Sequence, residues 1–113
     1  MNDSISPLLK ALANPRRIEV VRCLMNRELS VNQMLDEIDL SQSALSQHLA
    51  KLRDGGVVKT RRSSQRIYYQ LAEGRIAKFV ELLDRLYGRG VSMDGSTKTF
   101  LRLSTDLPEF SQN

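Results

Sequence analysis

The chain has 113 residues, of which 17 are lysine or arginine and 13 are aspartate or glutamate, so its formal net charge is +4. Leu40 to Leu71 contains one acid, Asp54, and six basic residues, so the rest of the chain is nearly neutral. A basic segment on a nearly neutral chain indicates a polyanionic partner, and double-stranded DNA fits best. The six basic residues are Lys51, Arg53, Lys59, Arg61, Arg62 and Arg66.

Several classes of protein are disfavoured by what the sequence lacks. It has no apolar run long enough to cross a bilayer, and "MNDSISPLLKALANPRR" lacks the order of a secretory signal, so we expect a cytoplasmic protein. A single cysteine, Cys23, excludes an intramolecular disulfide framework and a multi-cysteine metal site. No paired carboxylates, activated nucleophile or phosphate-binding glycine loop indicates an enzyme, and no cofactor is expected.

The first half of the chain contains four predicted helices. The first covers Ser6 to Ala13, and Asn14-Pro15 then caps a second that runs to about Asn26. Ser30 and Ser41 are predicted to cap two further helices, which are separated only by Asp39 and Leu40. Such a tight connection is typical of a helix-turn-helix, and Gly55-Gly56 ends its second helix.

The second half is predicted to form a hairpin, a helix and a tail. Val57 to Arg61 and Arg66 to Leu71 are β-branched and aromatic runs that flank the turn-like Arg62 to Gln65, and we call this hairpin the wing. Gly74 to Tyr87 has the apolar spacing of a helix. From Gly88 to Asn113 the composition is polar, which favours a flexible tail.

These elements predict a mainly α fold with a β-hairpin wing, a winged helix-turn-helix of order α-α-α-α-β-β-α, in residues 1–87. Such a short chain with wide apolar stripes should bury part of them against a second copy. We expect a homodimer in which the first and last helices pair. The predicted contacts are Leu8, Leu9, Leu12, Phe79, Val80, Leu83 and Leu86.

The second helix of the helix-turn-helix has an unusual polar side. Leu45, Leu49 and Leu52 cluster in one direction, and small polar residues rather than Lys and Glu occupy the other. Small polar residues contribute little to helix formation, but Gln and Ser can hydrogen-bond to base edges in the major groove. The alternative is an ordinary solvated amphipathic helix. The predicted DNA contacts on this helix are Gln42, Ser43, Ser46, Gln47 and Lys51.

The wing would supply the remaining DNA contacts by phosphate contact or minor-groove insertion, through Arg61, Arg62 and Arg66 and through Ser63, Ser64 and Gln65 at its tip. A hairpin kept soluble by its charge is the alternative, and a winged-helix module for protein contacts is the alternative for the whole chain. Tyr68 and Tyr69 should face opposite sides of the strand, one of them in the core. His48 lies beside the leucine stripe, which favours packing over base contact.

The stretch "LSVNQMLDEIDLSQSALSQHLAKLRDGGVVKTRRSSQRIYYQL", preceded by "LANPRRIEVVRCL", resembles the ArsR (SmtB/ArsR) family of winged-helix repressors. The resemblance spans about Leu8 to Tyr87 and is strongest to the family's HlyU and BigR branch, through "ELSV" and "SQSALSQHL". It implies a homodimeric repressor that binds an imperfect inverted repeat in a promoter and is released by an inducer. By matching positions, the resemblance implies groove contacts from Gln42, Ser43, Ser46 and Gln47.

Departures from the family pattern bear on the signal that releases DNA. Metal-sensing members carry Cys-x-Cys where this chain has Ser30 and Asn32, and His48 with Cys23 cannot form a zinc site, so we expect no metal. The HlyU and BigR branch implies a dithiol switch, for which Cys23 stands at the first position and Gly88 at the second. We therefore expect the intramolecular switch to be absent. Packing and single-thiol redox sensing both remain open for Cys23.

Overall fold

The computed structural model describes residues 3–88, which form five helices and one hairpin. Contacts divide the chain after Ala77, so residues 3–77 are described as one unit and the part of the last helix beyond Ala77 by itself. The elements are α1 (Ile5–Leu12), α2 (Pro15–Cys23), α3 (Val31–Leu35), α4 (Gln42–Asp54), β1 (Val58–Ser63), β2 (Arg66–Leu71) and α5 (Gly74–Tyr87).

The helix starts follow the predicted capping residues. The Asn14 side chain accepts hydrogen bonds from the backbone N–H groups of Arg16 and Arg17, at 2.9 and 3.1 Å. Ser30 forms a full capping box with Gln33, and the Ser41 hydroxyl accepts from the Ala44 N–H at 3.1 Å. Each cap satisfies donors that the first turn of a helix leaves without a partner.

Two helices have bounds that differ from the predictions. Helix α1 begins at Ile5, because the Asp3 carboxylate accepts from the N–H groups of Ile5 and Ser6, and it ends at Leu12. Helix α2 ends at Cys23 instead of continuing to about Asn26. The chain leaves α2 through a turn in which Asn26 adopts a left-handed conformation with φ of 63°, and such a residue cannot continue a right-handed helix.

The core of residues 3–77 is built around α4, which contacts α1, α2, α3 and β1. Leu45, Leu49 and Leu52 on α4 are fully buried. Among the apolar residues on α2 and just after it, Val20, Val21 and Leu24 are buried, whereas Ile18 and Met25 are only half-buried. Further buried residues come from the other elements: Leu12, Leu29, Met34, Ile38, Val57, Val58 and Ile76.

The wing is an antiparallel pair whose turn is shorter than predicted. Arg62 pairs with Ile67 and Ser63 with Arg66, so only Ser64 and Gln65 form the turn, and Ser64 has a φ of 57°. Leu29, in the loop between α2 and α3, adds a short antiparallel pairing with Tyr69 of β2. Two backbone hydrogen bonds of 3.0 and 2.7 Å join these residues. The wing is thereby attached to the helix-turn-helix through its second strand.

Helix α5 has the predicted bounds, and Ile76 and Val80 on it are buried while Phe79, Leu82 and Tyr87 are exposed. The N–H of Gly88 donates to the Asp84 carbonyl at 2.9 Å. The predicted tail lies outside the described residues from position 89 onward. Within residues 3–88, no helix combines the length and apolar character needed to span a membrane.

A stability prediction follows from the close approach of α1 to the end of α4. A Cβ added at Gly55 would lie 2.6 Å from the Ala11 Cβ and 2.8 Å from the Pro7 carbonyl oxygen. Neither atom belongs to a flexible side chain, so we expect Gly55→Ala to lower the free energy of unfolding by about 1–3 kcal/mol, as overpacking does. Urea denaturation measures this change.

Gly74→Ala is the matched control, because no heavy atom lies within 4 Å of the position that its Cβ would occupy. It should unfold at nearly the wild-type urea concentration. A Gly55→Ala protein as stable as the wild type would contradict the close packing of α1 on α4.

Candidate nucleic-acid interface

Helix α4 separates its apolar and polar residues onto different sides. Its leucines are buried, and the five residues predicted to contact DNA are exposed together on the outside of the helix. Within residues 3–88, none of these five side chains takes part in a hydrogen bond or an ion pair. Their donors and acceptors are therefore available to a ligand. The five are Gln42, Ser43, Ser46, Gln47 and Lys51.

The N-terminal end of α4 is fixed by the turn before it. The Leu40 N–H donates to the Ile38 carbonyl at 2.9 Å. The Arg16 guanidinium, near the start of α2, donates to the Asp39 carbonyl and forms an ion pair with Glu19 at 2.9 Å. Arg16 thus connects α2 to the turn that presents α4. Sequence reasoning missed this residue, since nothing local marks a contact across 23 positions.

The arginines of the wing have different surroundings. Arg62 and Arg66 are exposed, and within the described chain neither is part of an ion pair or a side-chain hydrogen bond. Arg61 forms an ion pair with Glu28 and lies with its Cζ 5.0 Å from the centroid of the Tyr68 ring. The sequence grouped these three arginines together and gave no role to Glu28. Gln65, at the turn, is exposed as predicted for a tip residue.

Lys51 and Arg53 lie in the last turn of α4. Positive charges at this end of a helix also interact favourably with the helix dipole. Lys51 is exposed on the same helix as the four small polar residues, so it adds charge to the side that they occupy.

The burial of two tyrosines and of the histidine was also predicted from the sequence. Tyr68 and Tyr69 are both half-buried, so the prediction that one would lie in the core and the other at the surface is wrong. The reason is that Tyr68 is covered by Arg61 while Tyr69 is held by the Leu29 pairing. His48 is half-buried beside the leucine stripe of α4.

Cys23 is the last residue of α2, and its thiol is half-buried between two opposite charges. Its Sγ lies 3.8 Å from Oε1 of Glu37 and 3.8 Å from Nη2 of Arg27, and these two residues form an ion pair with each other. Burial raises the pKa of the Cys23 thiol, the charge of Glu37 raises it further, and Arg27 opposes both. The cation in contact with the thiol is thus Arg27.

Metal-ligating residues do not converge in the part of the chain that the structure describes. Among residues 3–88, no three His, Cys, Asp or Glu side chains are arranged so that they could hold a metal ion.

The chain is similar in sequence to known regulatory proteins. Residues 14–60 match the model of the family described as bacterial regulatory protein, arsR family. The transcriptional activator HlyU of Vibrio cholerae is 49% identical over 80 residues, which make up 71% of this chain and 74% of that protein. The biofilm growth-associated repressor of Agrobacterium fabrum is 39% identical over 83 residues, 74% of this chain and 71% of the relative.

Solved structures show the same likeness. HlyU from Vibrio cholerae has a TM-score of 0.68 at 45% identity, with 76% of this chain and 94% of that chain covered. A homodimeric winged helix-turn-helix DNA-binding domain from Mycobacterium bovis has a TM-score of 0.67 at 27% identity, with 80% and 88% covered. The family match at residues 14–60 includes all of α4 and therefore its polar side.

The charges around Cys23 predict its reactivity. A thiol reacts as its thiolate, so a raised pKa makes alkylation slow at neutral pH and faster as pH rises toward that pKa. Because the carboxylate of Glu37 raises the pKa of Cys23, Glu37→Gln should speed alkylation by iodoacetamide at pH 7. A rate profile against pH measures the thiol pKa directly.

Arg27→Gln is the opposing variant, because the guanidinium lowers the pKa of Cys23. It should slow alkylation and shift the profile to higher pH. The electrostatic description of this thiol would be wrong if the two variants shifted the profile in the same direction.

Proposed function

The chain belongs to the ArsR family of bacterial regulatory proteins, and we propose that this member represses transcription by binding inverted repeats in promoters as a homodimer. Proteins of this family are DNA-binding transcriptional regulators and not enzymes. Its relatives include both a named activator and a named repressor. Repression requires only occupancy of a promoter, which a small DNA-binding domain can achieve, and we propose that it takes place in the cytoplasm, where the DNA is.

The observation that carries this proposal is the outward side of α4. Three fully buried leucines fix the orientation of the helix, and the opposite side presents amide and hydroxyl groups that have no partner within residues 3–88. An α-helix fits the major groove, where each base pair presents a distinct pattern of donors and acceptors. Ser43 and Gln47 lie opposite the leucines and are proposed as the principal base-reading residues.

The wing is proposed to contact the DNA backbone. Arg62 and Arg66 flank the two-residue turn, are exposed and keep their charges unpaired within the described chain. Gln65 in the turn can hydrogen-bond to phosphate or to a minor-groove acceptor. Contacts of this kind give affinity and orientation, whereas α4 supplies discrimination between sequences.

Dimerisation is proposed to use the exposed apolar residues of the first and last helices. The related domain from Mycobacterium bovis is a homodimer. Leu9 and Phe79 are 45% and 37% exposed, and Leu8, Leu83 and Leu86 are half-buried. Leu12 and Val80, the other two residues of the predicted set, are buried within the single chain, at 4% and 1% exposure. Ile5 and Leu82 are exposed on the same two helices and extend the proposed contact.

The signal that releases the protein from DNA is proposed to be an inducer or a redox signal, and not a metal ion. No cluster of metal ligands lies within residues 3–88, and the donor set around Cys23 is one thiol, one carboxylate and one guanidinium. Because a guanidinium cannot bind a cation, this set does not suit a soft metal. Cys23→Ser is expected to fold and bind DNA nearly as the wild type does.

Base reading by Ser43 and Gln47 gives the main test. Each alanine substitution should weaken binding to a duplex selected by the wild-type protein from a randomised library by about 1–3 kcal/mol. Binding to a scrambled duplex of the same length and base composition should change little, since lost hydrogen bonds to bases matter only where the right bases are present. Fluorescence anisotropy at fixed salt measures both.

Ser4→Ala is the control, because Ser4 is exposed near the start of α1 and makes no capping hydrogen bond. It should leave both affinities unchanged. Equal losses on the selected and the scrambled duplex for Ser43→Ala and Gln47→Ala would show that these residues do not read bases.

The proposed dimer is tested by introducing a glutamate at one of two exposed apolar positions, one inside the proposed interface and one outside it. Leu9→Glu places a charge where the second copy is proposed to pack, and we expect the protein to sediment as a monomer at micromolar concentration because a buried unpaired charge opposes association. Ile67→Glu is the matched control, since Ile67 is 41% exposed on the wing, and it should remain dimeric. A wild-type protein that is itself monomeric at this concentration would contradict the dimer.

A further inference from the structure

Glu28 and Arg61 form the most extensive side-chain contact of the wing. Glu28 lies in the loop between α2 and α3, and Arg61 lies 33 positions later in β1. The Nε of Arg61 donates to both carboxylate oxygens at 3.1 Å, and its Nη2 donates to Oε1. The carboxylate therefore occupies the side of the guanidinium that would otherwise bind a phosphate in the same two-pronged manner.

Two further contacts hold the same part of the wing. The Arg61 guanidinium lies 5.0 Å from the ring centre of Tyr68, its partner on β2 in the strand register. Leu29, next to Glu28, makes both backbone hydrogen bonds to Tyr69. The loop residues 28 and 29 thus hold one wing strand through a side chain and the other through the backbone. These contacts fix the orientation of the wing relative to the helix-turn-helix.

Arg61 differs from the adjacent Arg62 in the face of the strand that it occupies. Successive residues of a strand point to opposite faces, so a guanidinium directed at Glu28 leaves that of Arg62 on the other side. Arg62 and Arg66 have no partner within residues 3–88, whereas the guanidinium of Arg61 holds the pKa of Glu28 below its ordinary value. The wing therefore has two available arginines and one that is internally neutralised.

We propose that Glu28 is a specificity-determining positioning residue, which keeps Arg61 off the DNA backbone and uses it to hold the wing in its binding direction. The proposal rests on the proposed function, in which Arg62 and Arg66 contact phosphates. A third available arginine would strengthen binding to any DNA, because phosphate contacts carry no sequence information. By neutralising Arg61, Glu28 limits the affinity for DNA of random sequence and so preserves the ratio of operator affinity to random-sequence affinity.

If the Glu28–Arg61 pair only stabilised the fold, its loss would lower the urea midpoint and would not change the salt dependence of DNA binding. Glu28 and Arg61 are solvent-accessible, with side-chain exposures of 33% and 48%, and exposed ion pairs contribute little to stability. The urea midpoint of Glu28→Gln should accordingly stay close to that of the wild type. The informative readout is the dependence of DNA affinity on salt, which counts the phosphate contacts and which a merely structural role would not increase.

The experiment measures the slope of log affinity against log salt for a scrambled duplex and for the library-selected duplex. Glu28→Gln releases Arg61, so the slope should become steeper by about 0.9, the value for one added phosphate contact. Between 50 and 200 mM salt this adds about a 3.5-fold loss of affinity. At the lower salt, binding to the scrambled duplex should strengthen, and the ratio of selected to scrambled affinity should fall.

Arg61→Ala tests the other partner of the pair. It should weaken binding to the selected duplex through misdirection of the wing, but leave the salt slope at the wild-type value because Arg61 makes no phosphate contact. A slope that falls by about 1 in Arg61→Ala would show that the arginine leaves Glu28 for a phosphate when DNA binds. That result would overturn the proposal.

Glu73→Gln is the matched control. It also removes an exposed acid from an ion pair and releases an arginine, Arg75, at the start of α5. Its net charge changes by the same amount as that of Glu28→Gln, so an equal steepening in both variants would indicate a general charge effect and overturn the proposal. A slope unchanged from wild type in Glu28→Gln would overturn it as well.

The variant Arg66→Ala distinguishes a failure of the role proposed for Glu28 from a failure of the proposed function. Its slope should be shallower than that of the wild type by about 1. If the slope does not change, the wing does not contact phosphates and that part of the proposed function fails. If Arg66→Ala behaves as expected and Glu28→Gln does not, only the role of Glu28 is wrong.

Discussion

Burial of the leucine side of α4 is the constraint on which the orientation of the proposed DNA interface depends. Leu45, Leu49 and Leu52 are each no more than 1% exposed, and α4 contacts three other helices and the first strand of the wing. Because side chains spaced three and four apart share one side of a helix, burying these leucines fixes the rotation of α4 about its axis. Because the polar residues lie on the opposite side of the same helix, this rotation directs them outward. The direction of the polar side that we propose to contact DNA is therefore a consequence of core packing.

Charge in this protein is divided between residues that are neutralised internally and residues that are left available. Arg16, Arg27 and Arg61 each pair with a carboxylate and connect segments that are distant in the sequence. Arg62 and Arg66 have no such partner within residues 3–88. Phosphate affinity that is too strong would bind the protein to any DNA, so a regulator of this size benefits when only part of its positive charge is accessible.

The surroundings of Cys23 differ from those expected of a reactive thiol. Its pKa is raised by burial and by Glu37, and reactive cysteines normally lie in positive surroundings that lower it. The thiol nevertheless touches the Arg27–Glu37 ion pair, which joins the end of α2 to the residues just after α3. The raised pKa disfavours the reactive thiolate in the unmodified protein, and a group added to the Cys23 sulfur would have to displace this ion pair.

The sequence by itself determined the local structure, including the caps at Asn14, Ser30 and Ser41, the bounds of α5 and the outward side of α4. These features depend on residues within one or two turns of each other, where spacing and side-chain chemistry suffice. Only the tertiary structure decided that Arg61 pairs with Glu28, that Leu29 joins the wing and that Leu12 and Val80 are buried. Contacts across tens of residues depend on the angles at which the elements pack, and no local pattern encodes those angles.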